Sequence, residues 1–248
     1  VIAFGMLFDR WPVGLLPLWM LPLFAGLLAS SFANDYGAAH ADQRAETGGF
    51  RARLMRREVV VFLVVALLAQ ISFGPYYTFF SIYLEQHGYR PSALGAYWAV
   101  GVAAEIVMFA FSARVFARWD ASRVLVVALV SAALRWCATA LYPQNVLLMI
   151  LAQATHALNF AAFFAACMQL LARYFPGRLN GHAQGIFYGF SSGIGGVLGA
   201  LVAGGLWSFD DGRLAFLVAG AAAAAAAGIA WVALRPRMPS PRSEAPRV

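Results

Sequence analysis

Three residues stand where a hydrophobic chain should carry none. Glu105, Arg135 and His156 each fall inside a long apolar run, on three successive runs. At mid-bilayer an ionisable side chain costs at least ~2.5–3.5 kcal/mol on insertion scales, so such groups pair with one another or face a cavity. At roughly 1.5 Å per helical residue, Glu105 lies about 16 Å from the outer end of its run, Arg135 about 10 Å and His156 about 15 Å. An acid, a guanidinium and an imidazole at similar depth can hold and hand on a proton, which makes the three candidate proton-coupling residues. The bland alternative stays open: a Glu105–Arg135 ion pair that only fixes helix packing, with His156 a satisfied core residue.

A second set could line a cavity. The segment Gln70-Ile-Ser-Phe-Gly-Pro-Tyr-Tyr-Thr78 carries Gly74-Pro75, predicted to kink or loosen its helix, either to open a site or to serve packing alone. Tyr76 and Tyr77 follow, about 11–12 Å from the outer end. Tyr76, Tyr77, Gln153 and Asn159 are candidate substrate contacts, and Gln169 is a further polar residue of the same kind. Gly185, Gly189 and Gly193 recur every four residues, a spacing that lets another helix approach closely.

Other chemistry is excluded by residue type and setting. All 18 basic residues are arginine, so a retinal Schiff base, which needs a lysine, is ruled out. Gly189-Phe-Ser-Ser-Gly193 matches the hydrolase pattern G-x-S-x-G, but that motif works on a strand–turn–helix, and an apolar run of this length is a helix. The two cysteines, Cys137 and Cys167, sit in apolar runs and read as small buried hydrophobes. No Cys/His spacing suits zinc. The expectation is a protein that is not an enzyme, with no metal and no cofactor.

The elements that position these residues follow from composition. Of 248 residues, 62% are hydrophobic and 12% charged, against about 45–50% and about 25% in soluble domains. Seven apolar runs, roughly Val13–Phe32, Val59–Leu84, Leu94–Phe116, Arg123–Tyr142, Val146–Leu171, Ala183–Trp207 and Leu214–Leu234, are each long enough to cross a bilayer as a helix. The fold class is an all-α membrane protein. Residues 1–32 end one helical unit, 33–58 form a polar, Gly- and Arg-rich linker, 59–234 form a six-helix bundle and 235–248 form a disordered tail. The chain opens Val1-Ile-Ala-Phe4 with neither Met nor a charged leader, the mark of a chain whose beginning is missing. Alternate loops assign the linker arginines, Arg114, Arg118, Arg123, Arg173, Arg178 and the tail arginines to one side, and Arg10, Arg90 and Arg213 to the other. The positive-inside rule makes the first side cytoplasmic, in a cell inner membrane with linker and C-terminus inside.

These features resemble the second half of a major facilitator superfamily transporter. Val13–Phe32 resembles the sixth helix, 33–58 the central cytoplasmic linker, and the remaining runs helices seven to twelve. A narrower likeness rests on Tyr76-Tyr-Thr-Phe-Phe-Ser-Ile-Tyr-Leu84, Gly88-Tyr89, Gly101-Val-Ala-Ala-Glu105, Phe109-Ala-Phe-Ser-Ala-Arg-Val-Phe116, Leu134-Arg135-Trp136 and Gln153-Ala-Thr-His156. It is similar to the 3-phenylpropionate permease branch, which is related to nucleoside and oligosaccharide proton symporters. The likeness covers roughly residues 59–175.

The resemblance implies a secondary transporter whose two halves rock about a central site. Its partners would be a small organic solute such as an aromatic carboxylate, protons, the lipid bilayer and the missing N-terminal half, with no nucleic acid. Lactose-permease-type members likewise place an acid, an arginine and a histidine on helices eight, nine and ten; where they carry a second glutamate three positions past the histidine, this chain has Asn159. That leaves Glu105 as the intramembrane carboxylate for coupling in this half. Arg135 would hold Glu105 or attract an organic anion, His156 would hydrogen-bond near the substrate, and Tyr76 and Tyr77 would stack on an aromatic ring. A membrane scaffold or signalling subunit built on a structural Glu–Arg pair is the other reading.

Overall fold

Backbone amides in hydrocarbon have no water to bond, so an apolar run must satisfy them within itself. The computed structural model describes residues 43–234, with side chains from residue 49 onward, and the six later runs form helices, with Tyr142 and Leu234 as C-caps. In chain order the helices are α1 (Gln43–Leu54), α2 (Arg57–Gln86), α3 (Pro91–Arg118), α4 (Ala121–Leu141), α5 (Val146–Tyr174), α6 (Leu179–Trp207) and α7 (Arg213–Ala233). The six from α2 to α7 are long and apolar enough to span a membrane. The expected span Val13–Phe32, the apolar start and the tail 235–248 lie outside the described residues.

Local signals place the helix ends. Pro91 opens α3, where its missing N–H is no loss. The Asp120 carboxylate accepts from the Ser122 N–H to cap α4 (2.9 Å), and Asn145 caps α5 by accepting from the Leu148 N–H (3.0 Å). Gly88 follows α2 at φ +88°, the left-handed conformation in which helices commonly stop.

Part of the expected linker 33–58 is helical. Its residues 43–54 form α1, and Phe50 of that helix packs on Phe175 (5.1 Å between ring centres). Asp120 at the α3–α4 turn pairs with Arg173 at the end of α5 (2.8 Å). Burial alone would raise the Asp120 carboxyl; the Arg173 and Ser122 hydrogen bonds outweigh it and hold the group below the usual carboxylate value. These contacts gather the arginine-rich turns at one end of the bundle. At the other end the Tyr89 hydroxyl donates to the Pro143 carbonyl (2.8 Å), and Tyr83 packs on Phe216 (4.9 Å).

Helix α7 packs on α4 and α2, α6 on α2, and α5 on both α4 and α3. Helix α3 buries only Leu94, Tyr97 and Gly101. The Gly74-Pro75 step does not break its helix: α2 runs on through both residues. Pro75 has no N–H for the Ile71 carbonyl four residues back, and Gly199 of α6 is pressed against that oxygen instead. A Cβ on Gly199 would lie 2.6 Å from the Ile71 oxygen and 3.1 Å from the Gly74 Cα, and one on Gly74 would overlap the Gly199 backbone. Gly195, one turn earlier, meets Gln70 and Leu67 in the same way.

The glycines singled out for close packing, Gly185, Gly189 and Gly193, are not the ones at this crossing. Gly185, Gly189 and Gly193 are exposed, and no other helix of the described residues approaches them. Both glycine sets have helical spacing; the set that packs is on the face turned to α2. Gly199→Ala therefore overpacks a backbone-to-backbone crossing and is expected to lower stability by about 1–3 kcal/mol, read as an earlier thermal unfolding midpoint in detergent. Gly189→Ala leaves that midpoint unchanged, and equal effects at the two positions would refute the crossing.

Candidate functional site

Four helices deliver one buried polar cluster. Helix α2 contributes Tyr76, α3 contributes Gly101 and Glu105, α4 contributes Arg135 and Trp136, and α5 contributes Gln153, His156 and Asn159. The three α5 residues recur every third position, so they share one side of the helix near its inward face. The helix then widens into a π turn at Leu158–Ala162, which holds Asn159; such turns concentrate at functional sites.

Arg135 is the centre. It is 4% exposed, and a buried guanidinium must find acceptors within the protein. One terminal nitrogen, Nη1, donates to His156 Nδ1 (2.8 Å) and more weakly to Asn159 Oδ1 (3.4 Å). The other, Nη2, donates to Gln153 Oε1 (2.8 Å). The Tyr76 hydroxyl donates to the same Gln153 oxygen (3.1 Å). Aromatic faces complete the shell: the guanidinium carbon lies 4.2 Å from the Tyr76 ring centre and 4.7 Å from that of Trp136, both within cation–π range. Asn159 is anchored in turn, donating to the Ala128 carbonyl (3.0 Å).

Glu105 does not touch Arg135. His156 stands between them, with its Nε2 2.7 Å from Glu105 Oε1. The direct Glu105–Arg135 pair of the structural alternative is thus replaced by a chain through His156. Reach decides this: Gly101, one turn before Glu105, leaves room for the His156 ring, and a Cβ there would lie 3.3 Å from its Cδ2.

The chain has a direction. A guanidinium only donates, so the Arg135 bond requires an unprotonated Nδ1 on His156. The proton of the imidazole then sits on Nε2 and points at Glu105. A doubly protonated ring would set an N–H against the Arg135 N–H. The geometry therefore assigns the neutral Nε2–H form to His156 and leaves Glu105, 16% exposed, as the most exposed of the three.

Not every predicted residue joins. Tyr77 is half exposed and rests edge-on against Tyr76 (5.2 Å), and no hydrogen bond to the cluster is among its contacts. Gln169 is exposed near the arginine-rich end of α5. Ser191, from the hydrolase-like pattern, is buried in a π-helical turn and donates to the Phe187 carbonyl (2.5 Å). Trp136, Trp98, Phe160 and Gly101 were not singled out by sequence reasoning, yet they wall the cluster. Trp98 and Phe160 stack beside Tyr76 (4.8 Å) and His156 (5.6 Å). Their signal was position: Trp98 and Gly101 precede Glu105 by two turns and one, and Trp136 adjoins Arg135.

The cluster has donors to spare. Gln153 Nε2 and Trp136 Nε1 are buried and meet no acceptor among the described residues.

Residues 1–218 match the model of the MFS_1 like family. The chain belongs to this family. Over 170 residues the MFS_1-like chain is 31% identical to the probable 3-phenylpropionic acid transporter of Escherichia coli (strain K12). The match covers 67% of this chain and 43% of that relative, so the chain spans less than half of the relative's length. Family membership accords with the observed all-helical bundle of the major facilitator type.

The cluster yields a stability test. Gln153→Leu strips an acceptor from both Arg135 and Tyr76. It should cost about 1.5–3 kcal/mol, the range for hydrogen bonds to charged groups, read as a lower unfolding midpoint in detergent. Gln169→Leu, on the exposed surface, should leave the midpoint within error of wild type.

Proposed function

We propose that this chain forms part of a secondary active transporter that carries a small organic anion, such as an aromatic carboxylate, together with protons, by alternating access. The observation that carries the reading is the buried Arg135–His156–Glu105 chain. With Glu105 ionised, the arginine charge is balanced within the cluster. When Glu105 takes a proton, its remaining oxygen still accepts from His156, and the site is left with one net positive charge at membrane depth. An uncompensated charge there is costly, so the protonated site favours an incoming carboxylate. Proton and organic anion are then bound together by charge balance, which is symport.

The same cluster supports the substrate class. Surplus N–H groups on Gln153 and Trp136 suit carboxylate oxygens. The part-exposed rings of Trp98 and Tyr77 suit an aromatic ring. The likeness to a probable 3-phenylpropionic acid transporter supports phenylpropionate as the first solute to try. The linker, Val13–Phe32 and the remainder of the natural protein would supply the facing half of the site, in an inner membrane with the arginine-rich end inside.

One observation favours a structural reading for Arg135 in particular: its closed shell of His156, Gln153, Asn159 and two aromatic rings. On a wholly structural reading the protein is a scaffold that carries no solute, and uptake would not rise above the protein-free blank. The test is uptake of radiolabelled phenylpropionate into vesicles holding the full-length natural protein, with protein-free vesicles as the blank. Glu105→Gln is expected to abolish acceleration by an imposed proton gradient while keeping solute exchange. Full proton dependence in Glu105→Gln would remove Glu105 from the mechanism.

A further inference from the structure

The arginine-rich end of the bundle carries charge that its acids do not balance. Between residues 51 and 178 nine arginines stand at this end, against Glu58 and Asp120. Asp120 is already committed, to the Arg173 guanidinium at 2.8 Å and to the Ser122 N–H at 2.9 Å. Its neighbours at the α3–α4 turn, Arg114, Arg118 and Arg123, are exposed and have no ion-pair partner among the described residues.

Their placement is unusual in two respects. Arg123 is the third residue of α4, at the positive end of the helix dipole, where a cation is disfavoured and an anion favoured. The acid that would offset it, Asp120, is engaged with Arg173. Arg114 and Arg118 lie one turn apart at the end of α3, the helix with the least protein cover. The Arg114 guanidinium carbon lies 5.1 Å from the centre of the Phe111 ring, and Phe111 is itself exposed. That is a side chain lying along an apolar surface with its charge directed to the boundary. Trp119, half exposed in the turn, is the residue type that settles at the headgroup level of a bilayer.

We infer that the α3–α4 turn is a binding site for the headgroup of an anionic phospholipid. Arg118 and Arg123 hold the phosphate from the two sides of the turn, Arg114 supplies further positive charge, and Trp119 marks the depth of the headgroup. The lipid source is favoured over a free anion because the arginines border an exposed apolar surface, with Phe111 directly beneath Arg114, along which acyl chains can lie. The inference concerns the outer surface of the bundle and does not depend on the transport reading.

The test uses the full-length natural protein, stripped of lipid in detergent and titrated with phosphatidylglycerol or phosphatidylcholine, with bound lipid counted by native mass spectrometry. Wild type is expected to retain phosphatidylglycerol in preference to phosphatidylcholine, a comparison that needs no variant. Each arginine lost in Arg118→Gln and Arg123→Gln should weaken phosphatidylglycerol by about fivefold, and the paired lysine replacements should restore most of the binding. Arg90→Gln with Arg213→Gln, at the opposite end, should leave it unchanged. Equal retention of the two lipids, unchanged binding in the Arg118→Gln/Arg123→Gln protein, or displacement by soluble glycerol phosphate at equal concentration would each overturn the inference.

Discussion

The structure turns on the solvation of one guanidinium. Arg135 lies within the depth of a membrane, almost wholly enclosed, and arginine cannot shed its proton to become neutral. The protein must therefore supply what water would: acceptors at His156, Gln153 and Asn159, and ring faces at Tyr76 and Trp136. Those residues come from three helices, so α2, α4 and α5 are held in register by a single side chain. Removing one partner of such a buried charge costs far more than the pair is worth as packing.

The rest of the site follows from that commitment. Because Arg135 donates to His156 Nδ1, the imidazole has one free N–H, and that N–H meets Glu105 on α3. Helix α3 has little other contact with the bundle. Its attachments within the bundle include Gly101 and Glu105 against α5 and Trp98 against Tyr76 and Ser81 of α2. A change in the charge of Glu105 is felt both at Arg135, through His156, and in the hold of α5 on α3. Under the proposed symport, proton uptake at this one carboxylate would alter both anion affinity and helix packing.

Much of this was legible in the residues. Six of the seven apolar runs emerged as helices with ends within a few residues of those read from hydropathy, because backbone in lipid has so few options. Depth arithmetic brought Glu105, Arg135 and His156 to one level. It could not order them, since order depends on side-chain reach and on the space left by Gly101. Gly74-Pro75 was expected to kink or loosen α2, for a site or for packing alone; the helix runs on through both, and Gly199 of another helix sits against the Ile71 carbonyl, a contact with no local trace. Gly185, Gly189 and Gly193 have the same period as Gly195 and Gly199, and only the tertiary arrangement tells which face meets α2. The helix Gln43–Leu54 was hidden by its glycines and charges, and Phe50 against Phe175 is the contact that docks it.

The most direct test of the account is the tautomer of His156, read by nitrogen-15 NMR on the full-length natural protein labelled only at histidine. The signal is assigned by its loss in His156→Asn. At neutral pH the account predicts a neutral ring protonated at Nε2, with Nδ1 a hydrogen-bond acceptor. A ring protonated at Nδ1, or at both nitrogens, would contradict it, since Arg135 could then not donate to His156 and the chain to Glu105 would not exist.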